Sequence, residues 1–182
     1  MKRWYFPFLI FIGITIFVMW FFWGNFFLEE SLSWLANEYD LTLWFGLWGT
    51  VLSLLLFWVS AGLLVKKEKG DIRSLSCVAV GCLFLAVGLW IPYNPERSFL
   101  GAAFHVAFTF TAPFFVVAGF FWMLFSFLKN KETVFLPCVV YLLALGVLAL
   151  GSLWYFGKIN GLLEIILLFG LGFFVQSVGR RL

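Results

Sequence analysis

Six stretches of this chain run for about twenty residues with almost no charge, and that length decides its architecture. They cover about residues 4–23, 42–65, 74–92, 99–128, 134–156 and 162–179. A helix rises ~1.5 Å per residue, so ~20 residues cross the ~30 Å of hydrocarbon in a bilayer. Lipid offers a bare backbone no hydrogen bonds, so only helices and closed barrels can span it. Barrel strands are short and alternate apolar with polar positions. These stretches are continuously apolar, which selects helices. Composition agrees: 64% of the residues are hydrophobic and 12% charged, against roughly 45–50% and ~25% in a soluble domain. That is too little charge to cover a water-soluble globule. The expected fold is all-α: one polytopic transmembrane bundle of six helices over residues 1–182, with no separate soluble domain.

Basic residues orient it. Of the twelve Lys and Arg, ten fall in Met1–Arg3, Lys66–Arg73, Lys129–Lys131 and Arg180–Arg181. Only Arg97 and Lys158 fall on the other side. The positive-inside bias then places both termini in the cytoplasm and the bundle in the cytoplasmic membrane. The first stretch follows Lys2 and Arg3, as a secretory signal would. It exceeds the ~7–15 residue core of such a signal, however, and no small-x-small cleavage site follows it. It reads as a retained span. The basic clusters sit where anionic headgroups lie, so the net charge of +3 points to membrane lipids and not to nucleic acid.

The outer side is acidic, with Glu29, Glu30, Glu38 and Asp40 in the longest connection. Within it, Leu28, Leu32 and Leu35 are helically spaced across Leu28–Asn37. Two readings are open: a short helix lying at the outer interface, or a solvated acidic loop. Trp4, Trp23, Trp44, Trp90 and Trp154 lie near span ends, as an interfacial belt requires. Trp20, Trp48, Trp58 and Trp122 lie deeper, where they either line a groove or serve as packing and lipid-facing bulk. No residue pattern marks the two halves as an inverted repeat.

Ionisable groups inside a membrane are costly, so each is a candidate functional position. His105 is the only histidine, six residues and ~9 Å into the fourth span. Glu164, near the start of the sixth, is the only acid inside a span. Both fall in the outer leaflet, where a His105–Glu164 pair is feasible. It would anchor a ligand in an outward-facing cavity or act as interhelical glue, and Glu164 has a further reading as a helix-start acid favouring the dipole. Pro113 bends the fourth span, and Thr109 and Thr111 can re-satisfy the carbonyls it frees. With Trp90, these three are candidate cavity-lining residues. Small residues recur at Gly46, Gly49, Thr50, Ser53 and Ser60, at Cys77, Gly81 and Gly88, and at Gly146, Ala149 and Ser152. They read as packing faces.

Much chemistry is excluded. One histidine supplies neither bis-His haem ligation nor a His₂ metal site, and no metal or other cofactor is expected. Cys77, Cys82 and Cys138 form no C-x-x-C. Nucleophile-elbow and phosphate-loop motifs are absent. Nothing marks an enzyme.

Gly88-Leu89-Trp90-Ile91-Pro92, a short loop and Phe104-His105-Val106-Ala107 together resemble a junction in the bacterial "domain of unknown function 998" membrane proteins. Gly161-Leu162-Leu163-Glu164 and the Arg180-Arg181 tail are similar to that family's last span, with Ile165 where the family often has Arg. The resemblance implies six helices with His105 and Glu164 as polar positions, and no established activity. The leading functional expectation is non-enzymatic handling of a lipid or small hydrophobic solute beside His105 and Glu164. One alternative is an accessory or assembly subunit with a membrane-protein partner. The other is the solute-binding membrane subunit of a transporter, against which the first span lacks a small-x-x-x-small face.

Overall fold

The computed structural model describes residues 6–23, 30–65, 72–128, 132–156 and 161–181, and every regular element among them is helical. The helices are α1 (Phe6–Trp23), α2 (Leu32–Glu38), α3 (Thr42–Val65), α4 (Ile72–Trp90), α5 (Phe99–Leu128), α6 (Glu132–Phe156) and α7 (Gly161–Arg181). Each apolar stretch carries one long helix, with limits within two residues of the expected ones. Four segments are long and apolar enough to cross a membrane among the described residues: Thr42–Gly62, Ile72–Trp90, Phe99–Phe125 and Phe135–Tyr155. The basic segments 1–3, 66–71 and 129–131 that carry the orientation argument lie outside the described residues, as do Leu28, Glu29 and Lys158.

Local chemistry sets the helix ends. Helix α4 stops at Trp90 and does not reach Pro92, because the residue before a proline is driven out of the α region. The Ile91 N–H then closes the last turn on the Gly88 carbonyl at 3.1 Å. Helix α2 begins later than the spacing predicts, at Leu32, and its apolar side turns into protein: Leu32, Leu35 and Ala36 are at most 1% exposed. An interfacial helix would instead lay those residues in lipid. The helix ends with Asp40 at φ 54°, the left-handed region. The Leu41 N–H reaches back to the Ala36 carbonyl at 2.7 Å and the Asp40 N–H to the Asn37 carbonyl at 3.3 Å, the paired bonds of a Schellman end. The Leu41 carbonyl in turn accepts from the Phe45 N–H at 2.9 Å and starts α3. Asp tolerates this backbone better than most residues, but glycine tolerates it best. Asp40→Gly should raise the unfolding free energy by about 0.5–1 kcal/mol, and Asp40→Val should lower it by about 1–2 kcal/mol. Thermal unfolding in detergent reads both.

The chain falls into two compact units, residues 1–32 with 129–182 and residues 33–128. The division sets the middle three long helices apart from the outer three and does not fall between α4 and α5, where two sequential halves would part. In the middle unit α4 packs along both α3 and α5, most extensively along α5. Its core contains Leu52, Leu56, Val59, Val78, Val116, Phe120, Met123 and Leu124, all at most 3% exposed. In the other unit α7 packs on α6 and α1, burying Ile12, Leu142, Phe174, Val175 and Val178. The Tyr141 hydroxyl donates to the Gly170 carbonyl at 3.0 Å there, and its ring packs against Phe173 and Phe174.

Candidate functional site

His105 sits on α5 in the middle unit, and only 4% of it is exposed. Its Nδ1 lies 2.7 Å from the Ile91 carbonyl. A carbonyl only accepts, so Nδ1 carries the proton and donates. The partner is the carbonyl of the residue that directly follows α4, where the helix no longer supplies an N–H. Its ring packs against Tyr93, with centroids 5.5 Å apart and planes tilted at 46°. The single histidine therefore ties α5 to the end of α4 through backbone.

Trp90 also serves that end. Its indole lies across Gly46 on α3, where an added Cβ would sit 2.7 Å from Trp90 Cδ2. Its Nε1–H donates to the Thr50 hydroxyl at 2.9 Å. That hydroxyl donates onward to the Gly46 carbonyl at 2.9 Å. Trp90 thus joins α3 to α4 while keeping 47% of its surface exposed.

Thr109, Thr111 and Pro113 follow on α5. Pro113 supplies no N–H for the carbonyl of Thr109, four residues earlier. The threonine hydroxyls do not re-satisfy that carbonyl. Thr109 donates to the His105 carbonyl at 2.8 Å, with Val106 at 3.4 Å. Thr111 donates to the Ala107 carbonyl at 2.6 Å. Each hydroxyl doubles up on a carbonyl of the turn before it, the back-bonding that bends helices.

Glu164 lies in the first turn of α7, in the other unit. Its carboxylate accepts from the Leu32 N–H at 3.1 Å, at the start of α2. Beside it the Gly161 N–H donates to the Glu30 carbonyl at 2.8 Å. Two hydrogen bonds thus pin residues 30–32 to the start of α7. A helix N-terminus leaves its first N–H groups unpaired, and a carboxylate is a strong acceptor for one of them. Glu164→Ala should lower the unfolding free energy by about 1–2 kcal/mol. Glu164→Gln keeps an acceptor oxygen and should cost about half as much. Equal losses in the two variants would mean that charge, not the hydrogen bond, holds the segment.

His105 and Glu164 thus belong to different units, and each has a backbone partner within its own. Tyr93 and Leu32, the groups they meet, carry no sequence signal of that role: one is a loop tyrosine, the other an N–H. Among the described residues, no buried side-chain nitrogen or oxygen lacks a hydrogen-bond partner. The deeper tryptophans divide. Trp48 stacks on Phe45 with centroids 5.4 Å apart. Trp58 is half exposed, and Trp122 is exposed with the Arg73 guanidinium 5.7 Å above its ring. The side chain of Trp20 lies outside the described residues.

Comparison with protein-family models, with curated proteins and with solved structures finds no match to this chain. The resemblance to the domain of unknown function 998 proteins therefore rests on its short motifs alone.

Proposed function

We propose that the chain crosses the cytoplasmic membrane six times with both ends inside, and that it serves as an accessory or assembly subunit of a membrane complex, acting through its helix surfaces. One observation carries this reading. The two polar side chains best placed to bind a ligand, His105 and Glu164, are each engaged with backbone at a helix end. An intramembrane ionisable residue is a functional candidate by default because it is expensive to keep there. Here the expense is offset by a structural return, the fastening of α5 to the end of α4 and of residues 30–32 to α7. The apolar surface supports the same reading. On α6, Gly146 and Gly151 meet no neighbour within 4 Å of an added Cβ, and helices in lipid associate through such small-residue positions.

Native mass spectrometry of the chain purified in mild detergent tests the proposal, comparing wild type with His105→Ala and Glu164→Ala. A protein partner held at fixed stoichiometry in all three supports an accessory subunit. A lipid or small hydrophobic molecule bound to wild type and lost from both variants overturns it, in favour of solute handling at those residues.

A further inference from the structure

Helix α5 is held very differently along its length. Beyond Pro113 one face is tightly seated, with Val116, Phe120, Met123 and Leu124 at most 3% exposed, while Phe114, Trp122 and Phe125 face outward. There Gly119 lies so close to α4 that an added Cβ would sit 2.9 Å from the Ser74 carbonyl oxygen. The Ser74 hydroxyl returns a hydrogen bond to the Gly119 carbonyl at 2.7 Å. Before Pro113 the helix is mostly bare, though the Phe108 ring meets Phe84 of α4 edge-on at 5.2 Å. Phe99, Leu100, Phe104, Val106 and Phe110 are 40–81% exposed. Only Ala102 and His105 are buried between Phe99 and Phe110.

Between these regimes the backbone ladder is weak. Pro113 leaves the Thr109 carbonyl without its helical partner. The hydroxyls of Thr109 and Thr111 load the carbonyls of His105 and Ala107 with a second donor. At the same level Gly88 of α4 meets Thr109, where an added Cβ would sit 2.8 Å from Thr109 Cγ2 and 3.2 Å from its N. That contact is tight enough to act as a pivot. Sharp helix bends occur at proline and where side chains intrude on the ladder, and segments with few buried contacts open most readily.

We propose that Phe99–Phe108 is a hinged arm that swings about Thr109–Pro113, and that the hydrogen bond from His105 Nδ1 to the Ile91 carbonyl is its latch. Latched, the arm covers the end of α4 and encloses the His105 ring against Tyr93. Unlatched, its turns loosen as it parts from the loop that follows α4 and uncovers both rings, while the seam beyond Pro113 stays shut. This device is independent of the role proposed above. It is an opening of α5 itself and needs neither a ligand nor a partner.

Hydrogen–deuterium exchange of the full chain in lipid nanodiscs tests it, read separately over amides 102–110 and 116–124. His105→Leu keeps bulk but removes the donor. It is expected to speed exchange over 102–110 about tenfold and leave 116–124 unchanged. His105→Asn places an amide N–H near the Nδ1 position and should stay within about twofold of wild type. Pro113→Ala restores the missing ladder bond and should slow exchange over 109–112, read as a third window, severalfold. Unchanged exchange in His105→Leu, or acceleration spread equally through 116–124, overturns the latch. Unchanged exchange in Pro113→Ala overturns the hinge.

Discussion

Leucine in place of Gly81 or Gly119 will abolish the folded α4–α5 pair, and alanine at either position will cost about 2–3 kcal/mol of stability in thermal unfolding. The reason is what an added Cβ meets. At Gly81 it would lie 2.8 Å from the Ala112 carbonyl oxygen and 3.0 Å from the Val116 nitrogen. At Gly119 it would lie 2.9 Å from the Ser74 carbonyl oxygen and 3.1 Å from the Val78 nitrogen. These are backbone atoms of the facing helix and cannot rotate aside, so the helices must separate. Separation also stretches the Ser74–Gly119 hydrogen bond of 2.7 Å. The two alanine variants damage one seam, so their double variant should cost less than the sum. Gly13 and Gly146 give the contrast, because a Cβ there meets nothing within 4 Å. Alanine at those positions should be neutral or should stabilise by up to about 1 kcal/mol, since alanine is the better helix former. Equal losses at Gly81 and Gly146 would refute the seam.

Phe120→Ala is expected to cost about 2–4 kcal/mol, and Trp154→Ala almost nothing, although the tryptophan loses more atoms. Phe120 is 0% exposed and Trp154 91% exposed. In a soluble protein truncating a buried phenylalanine forfeits transfer free energy and leaves a cavity as well. In a membrane the transfer part is small, because lipid tails are as apolar as the core. What remains is the cavity and the lost dispersion contacts, which places the cost at the lower end of the usual range. Phe120→Leu fills most of the space and should recover more than half. Reversible unfolding in mixed micelles measures all three variants. A Trp154→Ala loss as large as that of Phe120→Ala would show that the exposed end of α6 is not free of packing.

Legibility in the sequence varied residue by residue. Gly46, Gly49, Gly81 and Gly88 read as packing positions from their spacing and do press on neighbouring helices, whereas Gly146 reads the same way and faces open space. Gly119 and Gly170 press just as closely, against Val78 and Leu145, with no small-residue series to draw attention to them. His105 and Glu164 stand out by rarity alone, but their partners are a carbonyl and an N–H, groups that every residue carries. Asp40 illustrates the same limit: its left-handed backbone follows from where α2 must stop and α3 must start, which only the assembled ends reveal.

Apolar length by itself determined that this chain is helical and where its long helices run, because a backbone in lipid must satisfy its hydrogen bonds within each segment. Proline and glycine chemistry, likewise local, settled ends such as that of α4 at Trp90. Apart from the small-residue faces of α3 and α4, which face of each helix is inside was left to the tertiary structure. In water an amphipathic stripe announces the buried side. In lipid both sides are apolar, and burial is chosen by close fit: a glycine under an indole, a carbonyl within reach of an imidazole, a carboxylate at a helix start. Those fits depend on distances between residues far apart in the chain; small-residue spacing marks faces such as that of Gly46 but does not name the partner each one meets.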